Sequence, residues 1–193
     1  MDFFGVVVEV LKIDDSRPAF SLRPIAFPNQ WRKGNFGPAG PGEPSEKGEA
    51  YRRFFQDLID ELRSVHKFTN ARAGQPQNWY SFASGISSVT YGFSFAQGGQ
   101  VRAEVYVDTE DADENKGLFD ALEKGKADVE TQLGEPLTWE RLDHRRASRI
   151  AVYRKGSIDE PETWADIKTW AVDRLLKLKK VFGPRIASLA REM

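Results

Sequence analysis

The chain has no cysteine and only two histidines. No disulfide framework and no thiolate metal site can form, a composition that suits a reducing cytoplasm. His66 and His144 lie far apart and match no zinc-ligand spacing, so no structural metal is expected. Long apolar runs are missing as well. The first, Phe3 to Val8, is closed by Glu9 and Lys12, too short for a signal segment or a membrane span. No glycine-rich phosphate loop is present: Gly98-Gly99 reads as hairpin chemistry, and Gly37, Gly40 and Gly42 belong to a linker. These gaps predict a soluble, cytoplasmic protein with no cofactor and no membrane partner.

A large net charge is also absent, since the formal value is −1. The charges are instead segregated. Glu104 to Glu123 holds eight acids against Lys116 alone, Arg141 to Lys155 six bases against Asp143, and Lys168 to Arg191 seven bases against Asp173. Either the acidic middle pairs with the basic end inside the fold, or the basic end forms a surface for nucleic acid. The densest cluster is Arg141, Arg145, Arg146 and Arg149, and so many guanidinium groups beside two strands call for internal carboxylates or an external phosphate backbone.

At 193 residues the chain suits one good-sized domain with an appendage. Phe3 to Ile13 reads as a strand, and Phe20 to Phe27, with Pro24, as an edge or irregular strand. Arg32 to Gly48 collects five glycines and three prolines and reads as a linker. The expected organisation is an N-terminal strand segment over 1–31, a linker over 32–48 and a domain over 49–193. Within the domain, Tyr51, Phe54, Phe55, Leu58, Ile59, Leu62 and Val65 recur at helical spacing. Alternating strands follow at 78–83, from Val89 to Phe95, and from Val101 to Asp108, the last two joined at Gln97-Gly98-Gly99-Gln100. One helix is expected to carry Leu118, Phe119, Leu122, Val129 and Leu133 up to Gly134 and Pro136. A second hairpin is expected from Leu137 to Leu142 and Ser148 to Arg154. The last helix opens near Pro161 and is expected to break at Gly183-Pro184. The order α-β-β-β-α-β-β-α indicates an α+β fold, an antiparallel sheet built from hairpins with helices packed on one face.

NWYSF at Asn78 to Phe82, VRAEVYVDT at Val101 to Thr109, ENKGLFDAL at Glu114 to Leu122, GEPLTWERLD at Gly134 to Asp143 and RRASRI at Arg145 to Ile150 resemble, in order and spacing, the bacterial and archaeal domain-of-unknown-function family numbered 4268. The resemblance spans about Tyr51 to Ile186. Longer members place this domain behind a module that looks like a PD-(D/E)XK nuclease, joined by a segment similar to Asp2 to Phe20 and Phe27 to Trp31. It therefore implies a nuclease-associated protein, with the acids and lysine that hold a catalytic metal upstream of Met1 and outside this chain.

No catalytic residue is assigned. Asp108 with Glu114-Asn115-Lys116 matches a nuclease half-motif in letters, but it falls in the first turn of a predicted helix, where acids serve the dipole and the cap. Glu104, Glu140 and His144 could be imagined as an acid/base group, yet alternation puts Glu104 beside Arg102 and Tyr106 on one salt-bridged strand face. Trp79, Trp139, Trp164 and Trp170 read as core positions. Tyr106 and Tyr153 flank charged residues and could stack a base or an arginine. The reading is a non-catalytic accessory domain that binds DNA or RNA through Arg145, Arg146, Arg149, Lys155, Lys177 and Lys180. The alternative is a protein-interaction module that docks a separate nuclease-like subunit or forms a homodimer. A third reading, a small-molecule or peptide site, would use Arg102, Glu104 and Tyr106.

Overall fold

The structure is a computed structural model that describes residues 5–11, 19–26, 45–86 and 88–192, and it divides into two compact units, 1–45 and 46–193. In the first, β1 (Gly5–Leu11) and β2 (Ala19–Ala26) pair antiparallel, with Val6 opposite Pro24 and an irregularity between Gly5 and Val6. Of the expected linker, residues 32–44 lie outside the described residues.

The second unit opens with α1 (Glu46–Ser64), which starts five residues earlier than the apolar periodicity alone indicates, with Glu46 and Glu49 placed at the positive end of its dipole. Phe54, Phe55, Leu58, Ile59 and Leu62 are buried on one face. Val65, expected to continue that face, falls in the turn after the helix and is 67% exposed.

Five antiparallel strands follow the order β3-β4-β5-β7-β6: β3 (Trp79–Ala83), β4 (Val89–Ala96), β5 (Gln100–Val107), β6 (Thr138–Glu140) and β7 (Ser148–Lys155). Gly98 and Gly99 both adopt positive φ, 75° and 66°, in the β4–β5 hairpin, a conformation that favours glycine. Helix α2 (Ala112–Glu123) is capped by Asp111, whose side chain accepts from the amides of Asp113 and Glu114. The single helix expected here is two, because α3 (Lys126–Leu133) begins after a break at Lys124-Gly125. The apolar series lacks a member between Leu122 and Val129, so no buried contact holds the chain helical there.

A short 3₁₀ turn, Pro161–Thr163, leads into α4 (Trp164–Glu192). This helix runs through Gly183-Pro184, contrary to the expected break. Pro184 faces solvent, while Val181, Phe182 and Ile186 are buried around it, so core packing on one face carries the helix past the lost amide hydrogen bond.

The core fills one face of the sheet. Phe82, Val89, Tyr91, Phe93, Phe95, Val101, Ala103, Val105, Ile150 and Val152 meet the apolar faces of α1, α2 and α4 there. Phe54, Phe55, Phe93 and Phe95 form an aromatic cluster with centroids 4.8 to 6.3 Å apart. Helices on one face of an antiparallel sheet make the unit α+β. Among the described residues, no helix is long and apolar enough to cross a membrane.

Candidate functional site

Because strand side chains alternate, filling one face with Phe, Val and Tyr leaves a second set on the other. Register aligns Trp79, Ser94, Arg102 and Tyr153 in one row across β3, β4, β5 and β7. Ser81, Gly92, Glu104 and Ala151 form the next row, and Ala83, Thr90, Tyr106 and Arg149 the third. On this face lies a groove of about 870 Å³ that runs from Trp79 and Gln97 at one end to Asp108 and Arg145 at the other.

The floor is ionic. Glu104 is 7% exposed, and its Oε2 receives Arg102 Nε at 2.8 Å and Arg149 Nε at 2.5 Å. Neither contact has the alignment of a hydrogen bond, so Coulombic attraction holds them, while Arg102 Nη2 donates to Oε1 at 3.2 Å. Arg149 also donates to Glu140 Oε2 at 2.9 Å, and the Tyr153 hydroxyl donates to Glu140 Oε1 at 2.8 Å. Burial pulls the Arg149 guanidinium down, but the carboxylates of Glu104 and Glu140 outweigh it and leave it above its ordinary value. Burial raises Tyr153, as does its bond to Glu140. A side chain at Gly92 could not coexist with this network, because its Cβ would lie 2.9 Å from both Glu104 Cγ and Oε1.

Both tyrosines already stack a guanidinium. Arg149 lies 5.9 Å from the Tyr106 ring centre and Arg102 lies 5.8 Å from that of Tyr153. Glu104 and Glu140 therefore face arginine rather than each other, and exposed His144 joins neither in any hydrogen bond or ion pair. Among the described residues, no group of three or more His, Asp or Glu side chains could hold a metal ion.

The half-motif at Glu114-Asn115-Lys116 has a different task. Asn115 is fully buried, accepts from the Thr109 amide at 2.6 Å and donates to Arg146 O at 3.1 Å. The Lys116 ammonium, 9% exposed, donates to the carbonyls of Arg141 at 2.6 Å, Leu142 at 3.1 Å and Ala147 at 2.8 Å, and to Ser148 Oγ at 3.1 Å. Leu142 has φ 56°, a left-handed conformation that a branched apolar residue disfavours. It also explains why β6 stops at Glu140 instead of reaching Leu142. Two side chains of α2 thus fix the loop that presents Arg145 and Arg146.

The six residues expected to form one basic surface divide between two. Arg149 is in the floor of the open face, Arg145 at the groove's end, and Lys155 on the same face at the end of β7. Arg146 closes on Asp108 with two bonds of 2.7 and 3.0 Å, a pairing that raises its pKa. Lys177 and Lys180 lie on α4, in the helix layer beyond the sheet, and Lys177 pairs with Asp173 at 3.1 Å. Among the described residues, Arg145, Lys155 and Lys180 are the members of the set without a carboxylate partner. Trp79, expected in the core, is 49% exposed on the open face, since Tyr80 and Phe82 take the core side of β3. The Ser94 hydroxyl, buried in the groove floor, has no hydrogen-bond partner among the described residues.

Residues 50–186 match the family described as "Domain of unknown function (DUF4268)". No curated protein and no solved structure matches the chain.

Proposed function

Since the chain belongs to the DUF4268 family, whose description assigns no chemistry, we propose a function from its own geometry: a non-catalytic accessory domain of a nuclease-associated bacterial protein, which docks nucleic acid on the open face of its sheet. One observation carries the reading. On a face whose other arginines are each neutralised by a carboxylate of the same chain, Arg145 and Lys155, among the described residues, remain uncompensated at either end. Isolated, exposed cations of this kind suit the phosphates of a nucleic-acid backbone, and such contacts give affinity and register rather than sequence choice. Lys177 and Lys180 lie beyond the sheet and take no part.

The test is an anisotropy titration of the full chain with labelled DNA and RNA at low salt. Arg145→Ala with Lys155→Ala should weaken binding and make the slope of log K against log salt shallower by about 1–2. Failure of the unmodified protein to bind any nucleic acid would overturn the proposal. The protein-interaction reading would then take its place, and light scattering would be the measurement to follow.

A further inference from the structure

The aromatic rings on the open face are not equivalent. Tyr106 and Tyr153 are already faced by Arg149 and Arg102, whereas the Trp79 indole lies in no ring or cation contact among the described residues and is half exposed to the groove. The three other described tryptophans, Trp139, Trp164 and Trp170, pack against the core. Beside Trp79 on β4 stands Ser94, a buried hydroxyl with unused hydrogen-bonding capacity in the groove floor. At the far end is Arg145, close enough to Tyr106 to oppose the rise that burial gives the phenol.

The distance between these ends selects the ligand. Trp79 and Tyr106 are two strands apart laterally, and their rows lie four residues apart along β5. With a strand spacing of about 4.8 Å and a rise of about 3.3 Å per residue, they are roughly 16 Å apart, and Arg145 lies at that same end or beyond it. One nucleotide cannot reach both ends. In a duplex, base faces are stacked on one another and closed to an indole, whereas a single strand offers them freely. The floor between the ends includes Arg102, Glu104 and Arg149, and Arg149 also pairs with Glu140 beside the groove, so its cations are compensated and it sets no charge requirement of its own.

We propose that the groove holds a single-stranded oligonucleotide several residues long, with one base stacked on Trp79 and a phosphate further along the strand at Arg145. This rests on the nucleic-acid reading above and adds to it the state of the strand and a base contact.

The experiment compares, with the full chain, an oligonucleotide series from dinucleotide to octanucleotide, an abasic octanucleotide with the same phosphates, and the corresponding duplex. The octanucleotide should bind far more tightly than the dinucleotide and more tightly than the duplex. Trp79→Ala should weaken the base-containing strand by about 5- to 150-fold, the usual worth of one stacked base, and leave the abasic strand unchanged. Trp79→Phe should restore part of the loss, and Arg145→Ala should weaken both strands alike. Circular dichroism of each variant verifies the fold. Equal affinity for abasic and normal strands overturns the base contact while leaving backbone docking in place, and no binding of either removes the nucleic-acid reading itself. Competition by poly-glutamate as effective as by the oligonucleotide overturns the inference in favour of an acidic peptide.

Discussion

Replacing Lys116 by Met keeps the length of the aliphatic stem and removes only the ammonium, which makes it the sharpest probe of the loop from Arg141 to Ala147. The ammonium has three protons, so among its oxygens at most three full bonds form at once. Hydrogen bonds to a charged group contribute about 1.5–3 kcal/mol each. Against the gross value stand the rehydration that a buried cation gains on unfolding and the water that can reach the freed carbonyls from the exposed side of the loop. A net loss of about 3–5 kcal/mol remains, the usual size when one partner of a buried charged contact is deleted. For a unit of about 150 residues this lowers the melting temperature by roughly 10–15 °C. Thermal and urea unfolding followed by tryptophan fluorescence should give that shift, with exposed Lys124→Met as a control that leaves the transition in place. Hydrogen exchange should also quicken at the Arg145 amide, which bonds to Leu142 O at 2.8 Å. A Lys116→Met protein that unfolds within about 1 kcal/mol of the parent would refute the argument, because the carbonyls would then be satisfied without the ammonium.

Arg149→Ala should cost about 2–4 kcal/mol in urea denaturation by stranding Glu104, whereas Arg145→Ala should leave the midpoint unchanged; equal midpoints would remove the distinction between paired and free arginines. Tyr91 is fully buried with no partner for its hydroxyl among the described residues, and burial raises its pKa to about 12, so Tyr91→Phe should stabilise the fold by about 1 kcal/mol; a lower melting temperature would contradict this. Glu130 accepts from the Leu137 amide and from Trp139 Nε1, both at 3.0 Å, and the first of these bonds does most to hold its carboxyl below the ordinary 4.5. A depressed folded pKa gives stability that is complete above the unfolded value and lost as pH falls through the folded one. Glu130→Gln should therefore flatten the stability profile below about pH 4.5, read from tryptophan fluorescence, and an unchanged acid limb would count against the assignment.

The architecture was legible because β4 and β5 alternate and α1 and α4 repeat their apolar residues at helical spacing. Legibility failed where several rules met at one residue. In NWYSF, three aromatics within five residues give no polar contrast, so Trp79 reads as core until the register places Tyr80 and Phe82 on the other side. Gly183-Pro184 obeys the local rule for a stop, but burial of Phe182 and Ile186 overrides it. The arginine cluster shows in composition, yet three of its members find carboxylates on distant elements: Arg146 at Asp108 after β5, Arg141 at Asp120 on α2 and Arg149 at Glu104 on β5. No local pattern announces that Lys116 will enclose its charge in the carbonyls of a loop 25 residues away.

Neutralisation within the chain also has a kinetic consequence. Arg146 with Asp108, Arg149 with Glu104 and Glu140, and Arg141 with Asp120 are contact pairs, and the field of such a pair fades within a Debye length of about 8 Å at physiological salt. An approaching polyanion is guided by little more than the isolated cations at the ends of the open face. Encounter should then proceed at about 10⁵–10⁶ M⁻¹s⁻¹ rather than at the steered limit. For the proposed complex with nucleic acid, differences in affinity among variants of this face are expected in how long the complex lasts, not in how quickly it forms.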